Sequence, residues 1–90
     1  MNTYLVSYDL MRPGKDYPNL IAHFKSYGNW AKPLESVWLI KSSLTAEQVR
    51  NAARTHMDGN DKIMVVDVTS RSAAWANLPQ DASTWILNTL

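Results

Sequence analysis

A chain of 90 residues builds one hydrophobic core and leaves a large share of its surface in water, which bounds it to a single small globular protein. Its hydrophobic share of 46%, with four tryptophans and four tyrosines, sets it apart from disordered chains and supplies aromatic surface for an interface. The net charge of +1 argues against nucleic-acid binding by bulk electrostatics, so any such binding falls to a local patch.

The chain has no cysteine, which excludes a disulfide framework and a thiolate zinc site. It opens directly into a strand-like run and holds no stretch of about 18 apolar residues, so the expected setting is cytoplasmic, with no membrane partner.

Thr3 to Leu10 reads as a strand: Tyr4, Leu5, Val6 and Tyr8 are aromatic or aliphatic, and the run is too short for a helix before Arg12-Pro13-Gly14. Its one carboxylate, Asp9, stands near the end. The loop leads to Pro18, with Asp16 placed to cap a helix in which Leu20, Ile21, Phe24 and Tyr27 recur at helical spacing, and Gly28 ends it. Trp30 to Leu34 contains Pro33, which removes a ladder donor and suits an edge, bulge or bend. Val37 to Ile40 is consecutively apolar, the pattern of a strand buried on both faces. Thr45 and Gln48 approach a capping box for a second helix with Val49, Ala52, Ala53 and Met57 along one side, closed by the turn residues Asp58 to Asp61. Lys62 to Val68 is a third firm strand, and a short helix from Asp81 carries Trp85, Ile86 and Leu90.

That order predicts an α+β, ferredoxin-like (βαββαβ) antiparallel sheet over residues 1–70 with two helices on one face, followed by a C-terminal extension over 71–90. Two helices cover only one side of the sheet, and the other side is also apolar. A sheet-to-sheet homodimer is therefore expected, with the extension packing on its own sheet or on the partner.

Tyr8-Asp9-Leu10, Tyr27-Gly28, Ser36-Val37-Trp38 and Leu44-Thr45, in this order and at these separations, resemble the small ferredoxin-like CRISPR-associated nuclease family that partners the spacer-integration enzyme, and the related virulence-associated protein D ribonucleases. The match covers roughly residues 3–68. The resemblance implies an aspartate, here Asp9, beside a dimer dyad where two copies hold one Mg²⁺ or Mn²⁺ for phosphodiester cleavage, with an accessory catalytic role for Tyr8. It further implies RNA or DNA as substrate and an integrase-type protein as partner. A hard cation that takes one or two carboxylates and keeps several waters suits such an arrangement, and without it two close carboxylates would repel. The chain departs from the family in its loop, Met11 to Asp16, which has one arginine, one lysine and an added acid, and in Trp38, where phenylalanine is usual.

Each candidate residue also has a structural explanation. Asp9 suits a strand end that accepts hydrogen bonds from the Met11–Gly14 loop, and Tyr8 suits a packed aromatic. Arg12, Lys15 and Lys32 are candidate nucleic-acid ligands, and Lys25, Lys41, Arg50 and Arg54 extend the possible groove; all are equally solvated charges. His23 and His56 have no second histidine or cysteine at ligand spacing, which argues against a transition-metal site and leaves His23 on the solvent side of its helix. Trp38, Trp75 and Trp85 suit base stacking or packing. Two functions remain open: a metal-dependent endonuclease, or a non-catalytic dimeric scaffold.

Overall fold

The computed structural model describes residues 1–12 and 17–90. Its strands are β1 (Asn2–Asp9), β2 (Trp30–Leu34), β3 (Val37–Ser42) and β4 (Lys62–Asp67), and its helices are α1 (Pro18–Lys25), α2 (Ala46–Arg54) and α3 (Gln80–Thr89). β1 alternates between two environments: Tyr4, Val6 and Tyr8 are buried on one face, while Leu5 and Ser7 are half-buried on the other. Period-two alternation of aromatic and β-branched residues is what a pleated strand between two layers selects. β1 pairs antiparallel with β3, Tyr4 opposite Ile40, and with β4, Val6 opposite Val65. β2 pairs antiparallel with β3, which gives the order β2-β3-β1-β4.

The edge positions follow from the side chains. Pro33 has no amide to donate, and the β2–β3 register shifts between Ala31 and Leu34, so the irregularity falls where the donor is missing. Trp38, Leu39 and Ile40 are all buried because β3 lies inside the sheet and is covered on both faces.

In α1, Leu20 and Phe24 stand one turn apart and are both buried. Pro18 takes the first helical position, where its missing amide costs nothing, and Tyr17 precedes it at φ 47°. The expected cap, Asp16, lies outside the described residues. Gly28 turns the chain out of the helix at φ +83°, a left-handed conformation that other residues adopt with strain. The capping box of α2 is complete: Gln48 N donates to Thr45 Oγ1 at 3.1 Å, and Thr45 N donates to Gln48 Oε1 at 2.9 Å. Val49 and Ala53 then face the sheet, together with Leu20 and Phe24, over Tyr4, Val6, Tyr8, Trp38 and Ile40.

α3 covers the opposite face. Ala82 and Ile86, one turn apart, are buried, and Ile86 packs with Ala31 and Leu39 beside Leu5, Val68, Trp75, Leu78 and Leu90. Two indole N–H groups fasten this layer, Trp85 Nε1 to Asn29 Oδ1 at 2.8 Å and Trp75 Nε1 to Ser83 Oγ at 3.0 Å. The fold is thus a small α+β arrangement of a four-stranded antiparallel sheet and three helices, compatible with the ferredoxin-like pattern. The second face is not free over its whole width, because the chain's own C-terminal helix occupies the β2–β3 half. The β4 edge of that face stays open, with Met64 61% and Val66 40% exposed.

Candidate functional site

Asp9 is the last residue of β1, exposed, and opposite Lys62 in the register with β4. With Ser7, Lys62 and Met64 it borders a shallow hollow of about 200 Å³ at the end of the sheet. Among the described residues its carboxylate takes part in no hydrogen bond and no ion pair, Lys62 included. Of the Met11–Gly14 loop expected to donate to Asp9, the Met11 amide donates instead to Asp61 Oδ1 at 2.7 Å, and Pro13 and Gly14 lie outside the described residues.

Tyr8 projects to the other face, as its neighbouring position in a strand requires. Its hydroxyl accepts a hydrogen bond from Trp38 Nε1 at 3.1 Å, and its ring stacks on Phe24 at 6.0 Å between centroids. Tyr8 also borders the hollow beside Asp9, but its ring and hydroxyl are committed to the helix-side core. Trp38 is wholly buried, so its indole packs and cannot take a base. Arg12 is half exposed and pairs with Asp58 at 3.3 Å, and Lys15 lies outside the described residues. Lys32 sits over the Trp38 ring at 5.7 Å and Lys25 over the Trp30 ring at 5.5 Å, both on the helix side of the β2 edge. Lys41, paired opposite Thr3, faces the other side of the sheet with Leu5 and Leu39. Arg50 bonds to its neighbour Asn51, at 2.9 Å from Nη2. These cations are divided among separate surfaces and do not line one groove.

A clasp beside Asp9 was not anticipated from the sequence. Asp61 Oδ2 accepts from Asp58 N at 2.8 Å, closing the Asp58–Asp61 turn, while Asp61 Oδ1 takes the Met11 amide. The Tyr17 hydroxyl donates to Asp58 Oδ2 at 3.0 Å and stands 3.4 Å from Asp61 Oδ1. The segments leaving β1 and entering β4 are thereby tied together at the end of the sheet that carries Asp9. Burial, then the two carboxylates, push the Tyr17 phenol up to about 12. Burial acts to raise the Asp61 carboxyl, but donation from the Met11 and Asp58 amides, with Tyr17 and Arg12 adding to it, holds it below its ordinary value. The turn chemistry of Asp58-Gly59-Asn60-Asp61 signals a bend, and nothing in the spacing says that its acids reach back to Met11 and Tyr17.

The histidines also depart from expectation. His23 is half-buried rather than on the solvent side, and its ring centroid lies 5.0 Å from that of His56 and 5.4 Å from that of Tyr27.

Among the described residues no group of three or more His, Cys, Asp or Glu side chains is gathered to hold a metal ion. A single copy of the Asp9 site therefore offers one carboxylate, which fits a hard cation only if a second copy or several waters complete the shell. No helix among the described residues is long and apolar enough to cross a membrane. No family model matches the chain, and no solved structure matches it significantly.

Proposed function

We propose that this chain works as a ferredoxin-like homodimer that binds nucleic acid, and that it cleaves phosphodiester bonds with a divalent cation, Mg²⁺ or Mn²⁺, held by the two Asp9 carboxylates. The observation that carries this reading is the state of Asp9: an exposed carboxylate with no partner among the described residues, on the sheet face that also carries the exposed Met64 and Val66 of β4. That surface, Ser7, Met64 and Val66, is the one on which a second copy would pack, and in the proposed dimer it brings Asp9 toward the same residue of the partner.

A divalent cation at such a site acidifies a bound water and stabilises charge on a phosphate oxygen. The chain's own contribution is positional. Asp9 presents oxygen ligands, Lys62 across the strand supplies a cation for the phosphate, and Asp61 ties Met11 and Tyr17 to the segment that enters β4.

The second reading is a non-catalytic dimer of the same fold that serves as a scaffold for a protein or nucleic-acid partner. It is favoured by the commitment of Arg12 to Asp58 and of Tyr8 to the core, which removes two of the groups a nuclease site would draw on.

The test is cleavage of labelled single-stranded RNA and duplex DNA with Mg²⁺, with Mn²⁺ and with chelator, comparing wild type and Asp9→Asn purified identically. Metal-dependent cutting that is lost in the variant supports the nuclease. No cutting by either protein, or equal cutting by both, rejects it in favour of the scaffold.

A further inference from the structure

The packing of α1 against the end of α2 brings together two side chains that are far apart in the sequence. His23 lies in the last turn of α1, and His56 follows the C-cap Thr55 of α2, its amide bonded to Ala53 O at 3.0 Å. The two rings stand 5.0 Å apart between centroids, inclined by 40°. Among the described residues His23 Nε2 is buried without a hydrogen-bond partner, and so is the hydroxyl of Tyr27, whose ring meets His23 edge-on. A buried polar atom left without a protein partner calls for a water or an ion to answer it.

We propose that His23 and His56 form a two-imidazole site for a divalent transition-metal ion of the zinc class, separate from Asp9 and independent of the function proposed above.

The spacing agrees with that assignment. With a zinc–nitrogen distance of about 2.0–2.1 Å, a ring centre stands roughly 3.2 Å from the ion, and two imidazoles on a tetrahedral ion have centres about 5 Å apart. Each imidazole has a ring nitrogen lone pair that suits such an ion, and the buried Nε2 of His23 is the nitrogen without a partner among the described residues. The two imidazoles are the protein ligands, with water in the remaining positions. Nitrogen ligands select zinc, copper or nickel over magnesium, the reverse of the oxygen-only preference at Asp9. An ion here would join α1 to α2 on the side of the sheet away from Asp9's open face, and would stabilise the folded state by an amount that grows with the logarithm of the free ion concentration above its Kd.

The full chain, freed of metal with chelator and dialysed, is titrated with Zn²⁺ while its thermal midpoint and the ¹⁵N resonances of its histidine side chains are followed. The variants are His23→Gln, His56→Gln and Asp9→Asn. The expected result is a rise in the midpoint of wild type and of Asp9→Asn. Both imidazoles should shift together in the spectrum, and the Zn²⁺ affinity should fall by at least about tenfold in either histidine variant. Should a histidine variant fail to melt cooperatively, the paired imidazole shifts of the wild type decide alone. No imidazole shift in wild type, or an equal Zn²⁺ response in the histidine variants, overturns the site.

Discussion

Trp38 Nε1 donates to the Tyr8 hydroxyl at 3.1 Å inside the helix-side core, so the residue beside Asp9 in sequence is committed to holding the sheet against α1. Tyr8→Phe would leave the buried indole N–H unpaired and is expected to cost about 1–3 kcal/mol. Urea denaturation checks the loss of stability. Any cleavage activity should persist in this variant under conditions where it is fully folded, whereas a catalytic Tyr8 would remove activity without touching the denaturation midpoint.

The clasp at the Asp9 end makes stability depend on acid. Asp61 is held below its ordinary value of 3.8, so the unfolded state binds a proton more readily than the folded one. Its contribution is fully present above about pH 4, and it is lost as pH falls from there through the depressed folded value. Tyr17 has the opposite sign. Raised from 10.0 to about 12, it contributes below pH 10, and that contribution is lost as pH climbs toward 12. A pH series of thermal midpoints should show the acid limb flattened in Asp61→Asn and the alkaline limb flattened in Tyr17→Phe; unchanged limbs would remove both assignments.

The capping box of α2 is closed at both of its hydrogen bonds. Thr45→Ala deletes one acceptor on an exposed turn and is expected to destabilise the protein by about 1 kcal/mol, with Thr45→Ser recovering most of it. Chemical denaturation with far-UV circular dichroism resolves that difference.

The open β4 edge of the second face governs self-association in the proposed dimer. Met64, 61% exposed, is a solvent-facing edge-strand residue in one copy and an interface residue in two. Met64→Asp is expected to give a folded monomer by light scattering at concentrations where wild type is dimeric. A wild type that is itself monomeric at micromolar concentration removes the dimer from the proposal.

The legible parts of the fold were those written in short periods. Alternation in β1, the unbroken apolar run of β3, Pro33 at an edge and the Thr45–Gln48 box each rest on residues close in sequence, and each stands in the structure as expected. The same alternation already separates Tyr8 from Asp9, a consequence that pairing them by resemblance alone overlooks. Contacts made by tertiary packing have no local period. His23 meets His56 only because α1 lies beside the end of α2, Asp61 reaches Met11 only because β4 returns alongside β1, and Ile86 reaches Ala31 only when the last helix crosses the sheet. Net charge foretold a weak basic surface, but strand facing decided that Lys32 and Lys41 stand on opposite sides.

Manganese stoichiometry tests the proposed Asp9 site most directly. Mn²⁺ binding would be followed by electron paramagnetic resonance in the His23→Gln background, so that the imidazole pair takes no ion. One ion per two chains is expected, with binding lost both in Asp9→Asn and in the monomeric Met64→Asp protein. Binding of one ion per chain, or binding that survives Asp9→Asn, would contradict a cation shared by two Asp9 carboxylates.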